Sequence, residues 1–67
     1  MEISARNQLP GTVTSVTLGA VMAEVVVDVG GQEVVAAITR SSIERMGIKV
    51  GDQVIAIIKA TEVMIGK

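Results

Sequence analysis

Sixty-seven residues with a net charge of −1, and with neither cysteine nor histidine, leave room for one domain (residues 1–67) and few chemistries. Disulfides, thiolate metal sites and imidazole bases are excluded, and the seven carboxylates show no paired spacing for acid–base work, so no enzyme is expected. The absence of Phe, Tyr and Trp removes the stacking platforms that grip single-stranded nucleic acid, and net acidity removes the field that tracks phosphates.

Along the chain, Pro10-Gly11 opens a β-branched run over residues 12–18, closed by Gly19. Residues 21–29 form the next run and end at Gly30-Gly31. A two-glycine turn between β-rich runs predicts a hairpin with residues 32–38. Residues 41–47 read as one short helix. Thr39 or Ser41 can cap its start, Ser41 and Glu44 have capping-box spacing, and Gly47 suits the left-handed C′ position. Val50-Gly51-Asp52 turns into residues 53–59, and residues 61–65 predict a terminal strand or extension. This order predicts an all-β, five-stranded barrel of the oligonucleotide/oligosaccharide-binding (OB) type, with one short helix between strands 3 and 4.

The apolar pattern asks for a partner. Val21, Ala23, Val25, Val27 and Val29 share one face of the second strand, yet Met22 and Val26 occupy the other. In the fourth strand Val54, Ala56 and Ile58 alternate with Ile55 and Ile57, so neither face is polar. A chain this short cannot cover both faces of its sheet, and another copy is the simplest cover. Burying about 1,000 Å² between subunits contributes on the order of 25 kcal/mol before entropic costs. An obligate homo-oligomer is therefore expected. No apolar run approaches the roughly 18 uncharged residues of a membrane span, and Met1-Glu2-Ile3-Ser4 does not open a signal peptide, so a cytoplasmic protein without membrane contact is expected.

Three polar clusters interrupt this apolar chain: Ser4-Ala5-Arg6-Asn7-Gln8, Ile38-Thr39-Arg40-Ser41-Ser42 and Ile58-Lys59-Ala60-Thr61. Each borders a strand, where backbone donors can be left unpaired. Hydroxyls, N–H groups and isolated cations without a nucleophile are the inventory for holding a small oxyanion, which offers only acceptors. Taken singly, each cluster has a plainer reading. Thr39 and Ser42 can be caps, Lys59 can guard an edge strand, and residues 4–6 can be a frayed terminus.

The stretch Ser4-Ala5-Arg6-Asn7-Gln8-Leu9-x-Gly11, the Gly30-Gly31 hairpin, Gly47-x-x-x-Gly51-Asp52 and Ile58-Lys59-Ala60-Thr61-Glu62-Val63-Met64 together resemble the molbindins. These small Mop proteins bind molybdate or tungstate, and the likeness runs over nearly the whole chain. The same module resembles the ligand domain of the molybdate-responsive regulator and an accessory domain of the molybdate importer's ATPase. The clearest departure is Pro10, where many relatives carry lysine or another polar residue. The resemblance implies a hexamer built as a trimer of dimers, with strands extended or exchanged between subunits. It also implies cytoplasmic molybdate or tungstate storage without any cofactor. Ligand roles carry over to Ser4, Ala5, Arg6, Thr39, Ser42, Lys59 and Ala60, and a second oxyanion position falls at Leu18, Gly19 and Ala20. Two other functions compete: a ligand-free oligomerisation module, and a single-stranded nucleic-acid-binding OB domain.

Overall fold

Hydrogen bonding in the computed structural model, which describes all 67 residues, organises the chain into four strands and one helix. Strand β1 spans Asn7–Leu18, β2 Met22–Val29 and β3 Gln32–Thr39; helix α1 covers Arg40–Met46, and β4 covers Gln53–Ile58. They form a single antiparallel sheet in the order β3-β2-β1-β4. The architecture is all-β with one short helix, as expected, but the sheet is open and no fifth strand forms. Residues Ala60–Glu62 instead make one 3-10 turn, and Val63, Met64 and Ile65 beyond it stay exposed. Both edges that a fifth strand must bridge, β3 and β4, therefore remain without a neighbour on their outer side.

β1 begins earlier than the proline suggested. Residues 7–12 pair with β4 and residues 12–18 with β2, so the strand passes from one neighbour to the other at Thr12. Pro10, opposite Ile55, is paired on one side only, and the missing N–H falls where no ladder bond is needed. Gly11 sits at the handover. A Cβ there would lie 2.5 Å from the Asp28 carbonyl oxygen and 2.6 Å from a Val27 methyl, so only glycine allows this approach. A bulge between Val13 and Ser15 then bends the strand.

The β2–β3 hairpin turns through Gly30 and Gly31, both at positive φ, while the Gly31 N–H donates to Asp28 Oδ1 at 3.0 Å. Helix α1 starts one residue earlier than expected because Thr39 is the cap: its Oγ1 accepts from the Ser42 N–H at 3.1 Å. The Ser41–Glu44 capping box does not form. Glu44 instead accepts from Arg40 Nε at 3.2 Å, an i,i+4 pair. Gly47 closes the helix in the left-handed conformation at φ 63.

Val13, Ala23, Val25, Val27 and Ile43 are the only buried residues, with Val16, Val29, Ile38, Ile48 and Val54 packed around them. One face of β2 thus reaches the core as its alternation demanded, apart from Val21 at its mouth, which is exposed. Five buried side chains leave the rest of the inner face open as an apolar groove of about 680 Å³, whose walls include Val34 and Ala36 from β3 and Val54 and Ala56 from β4.

Candidate functional site

The last rung of the β1–β4 ladder pairs Asn7 with Ile58. Continuing one residue along each strand brings Arg6 beside Lys59, so antiparallel pairing joins two clusters separated by most of the sequence. Ser4, Ala5, Arg6, Lys59, Ala60 and Thr61 line a cleft of about 210 Å³ at that end of the sheet. Five of the seven residues expected to hold an oxyanion meet here. Thr61 is the sixth, and its place directly after Lys59-Ala60 was the sequence signal for it.

The electrostatics of this cleft are one-sided. The ion pairs of the chain are Arg40–Glu44 and Lys49–Asp52, so neither Arg6 nor Lys59 is neutralised by a carboxylate. No acidic side chain lines the cleft. Hydroxyls of Ser4 and Thr61 add neutral donors. An unpaired guanidinium and an unpaired ammonium beside two hydroxyls favour a dianion, and such contacts are stronger than those between neutral groups.

Thr39 and Ser42 are not part of this cleft. They lie at the start of α1, where Thr39 Oγ1 is 2.7 Å from Ser42 Oγ and 3.3 Å from Ser41 Oγ. Thr39 faces a second hollow of about 280 Å³, together with Ala20, Val21, Arg40, Ser41 and Glu44. Of the three residues expected at a second position, Ala20 lines this hollow. The Gly19 carbonyl accepts from Arg40 Nη1 at 3.4 Å, and Leu18 stands half-exposed outside it. The Glu44 carboxylate, held by Arg40, works against an anion in this hollow of a lone chain. A single chain therefore separates the expected ligand residues into two places.

The remaining ion pair is structural. Asp52 accepts from the Lys49 Nζ at 2.8 Å and from the Lys49 N–H at 3.0 Å, and these two bonds hold its carboxyl below the usual range. They fix the turn into β4. No cluster of three His, Cys, Asp or Glu side chains offers a cation site.

Comparison with known proteins places this geometry in a family. The TOBE domain model matches residues 3–65. Molybdenum-pterin-binding protein 3 of Clostridium pasteurianum is 52% identical over 66 residues, covering 97% of each chain. The structure of a molybdate-binding protein from Sporomusa ovata superposes with a TM-score of 0.95 at 46% identity over the full length of both chains. ModG, described as a cytoplasmic molybdate-binding protein, matches with a TM-score of 0.85 at 41% identity over 90% of this chain and 43% of its own. Sequence shared over nearly the whole length and a superposable fold have one reading: the chain belongs to the TOBE domain family, among the small molybdenum-pterin-binding Mop proteins.

Proposed function

We propose that this protein binds molybdate or tungstate and stores it in the cytoplasm as a homo-oligomer, without catalysing a reaction and without a cofactor. The observation that carries the reading is the cleft between residues 4–6 and 59–61, with two unneutralised cations, two hydroxyls and no carboxylate. Relatives named for molybdenum-pterin or molybdate binding support the ligand, and one described as cytoplasmic supports the compartment. Ser4, Ala5, Arg6, Lys59 and Ala60 hold the oxyanion, with Thr61 beside them. Thr39 and Ser42 reach it from a neighbouring copy, because in one chain they lie apart from the cleft. Ala20 of the Leu18-Gly19-Ala20 turn marks a second, weaker position.

The oligomer is a hexamer, a trimer of dimers with exchanged strands, and residues 1–67 form one domain within it. The open groove supports exchange: it needs an extended apolar segment, and residues 63–65 are exposed and belong to no strand. Native mass spectrometry with and without molybdate tests both parts at once. The expected spectrum shows about six chains carrying bound oxyanion; a monomer with no mass shift overturns the proposal.

The apolar groove also favours a second reading, an assembly module whose polar clusters only cap strand and helix ends. Equilibrium dialysis decides between them, since that module retains no molybdate. Nucleic-acid binding fares worse, for the exposed apolar side chains include no aromatic platform.

A further inference from the structure

Methionine is the only readily oxidised residue type in this chain, since cysteine, histidine, tryptophan and tyrosine are all absent. The four thioethers are not spread evenly over the fold. Met1 and Met46 line the apolar groove on the inner face of the sheet, Met46 as the last residue of α1, together with Ile48, Val54 and Ala56. Met64 lies in the apolar segment 63–65, which belongs to no strand. Three of the four thus sit on the two surfaces that strand exchange brings together. Met22, on β2, is the exception, because it lines no part of the groove. Met46 is 64% exposed and Met64 92%, so in a single chain both side chains are open to a dissolved oxidant.

We infer that Met46 is an oxidation site, with Met64 its counterpart across the exchange, and that oxidation and assembly exclude one another. This rests on the exchange reading above and names a regulation of it. The reagent is a peroxide. The sulfur lone pair forms an S–O bond, the O–O bond breaks, the thioether is oxidised to the sulfoxide, and hydrogen peroxide is reduced to water. A flexible apolar side chain becomes a polar one. Asp52 and Gln53 are the only polar side chains of the groove, so an apolar segment that covers a sulfoxide there strips the hydration from its oxygen. The unmodified thioether suits the opposite role, since an unbranched, polarisable side chain fills an irregular apolar surface well. Coverage works in the other direction too: a neighbouring copy seated in the groove shields Met46 and its own Met64 from the peroxide. A chain oxidised before it assembles is therefore kept out, and a chain already assembled is protected.

Hydrogen peroxide is the probe, with peptide mass spectrometry and sedimentation as the two readouts. In the untreated, assembled protein, Met22 is expected to oxidise about tenfold faster than Met46 and Met64. Protein oxidised in urea and returned to buffer is expected to need about tenfold higher concentration to assemble, within the range for one poorly satisfied polar group. Enzymatic reduction of the sulfoxides restores assembly, which separates this modification from general damage. The double variant Met46→Leu with Met64→Leu, a volume-conserving change, is expected to assemble after the same peroxide treatment, whereas Met22→Leu is not. Equal oxidation of Met22 and Met46 in the assembled protein overturns the inference, as does fully oxidised wild type that assembles like untreated protein. If the double variant does not fold, the wild-type oxidation pattern and its reversal by reduction still decide. Untreated wild type that sediments as a monomer fails at the earlier step, in the exchange reading itself.

Discussion

Lys59 follows the last residue of an apolar strand, and its ammonium meets no carboxylate. That interruption is what made it conspicuous in the sequence, and the same holds for Arg6 at the other end of the chain. If the pair balances a dianion, Lys59→Ala is expected to weaken molybdate binding by about 1.5–3 kcal/mol, the range for a hydrogen bond to a charged group. Calorimetry checks it, and an unchanged affinity returns Lys59 to the role of an edge-strand guard. Asp52 carries a different dependence. Its carboxyl is held low by the two bonds to Lys49, so the folded state binds this proton less readily than the unfolded chain. The stabilisation is present above the ordinary carboxylate range and is lost as pH falls through the lowered value. Thermal melts from neutral to acid pH are expected to show that decline, and Asp52→Asn is expected to flatten it. Not every residue announced itself in this way. Gln8 belongs to the first polar cluster in the sequence, but its hydrogen bond to the Ala5 carbonyl emerges only once the chain folds back.

At the scale of single elements, turns and caps were readable because they depend on neighbours in sequence. The Gly30-Gly31 hairpin and the Gly47 helix stop follow from backbone conformations that side chains disfavour. Thr39 was one of two capping candidates, and the backbone chose it by placing Oγ1 on the Ser42 N–H. Thr39→Val is therefore expected to cost about 1 kcal/mol in urea unfolding, whatever it does to ligand binding. The start of β1 was misjudged for a tertiary reason. Proline breaks a central strand, but nothing local reveals that β1 has a neighbour on one side only at Pro10. The adjacent Gly11 reports the same crossing from inside the sheet. Gly11→Ala is expected to lower stability by about 1–3 kcal/mol, since the new methyl meets the rigid backbone oxygen of Asp28. A midpoint equal to that of wild type shows that β2 can yield at this point.

Across the whole molecule, the expectation that failed is the fifth strand. Residues 61–65 have a strand-like composition, yet in their own chain the 3-10 turn at Ala60–Glu62 carries them away from any free ladder. Periodicity identifies a segment suited to a sheet and says nothing about whose sheet it joins. Thr39 and Ser42 are expected beside Lys59 from the sequence, and one chain holds them apart. If exchange between copies completes the fold, deleting residues 63–67 is expected to shift sedimentation from about six chains to smaller species. Retained assembly means that the groove is covered by something else. The rung between Asn7 and Ile58 has a separate consequence for the gene. Because the sheet's first and last paired residues face each other, a short peptide can join the backbone just before Asn7 to that just after Ile58 while a new break opens at the Gly30-Gly31 tip, where added Cβ atoms would meet nothing. Such a circular permutant is expected to fold, as circular dichroism can verify.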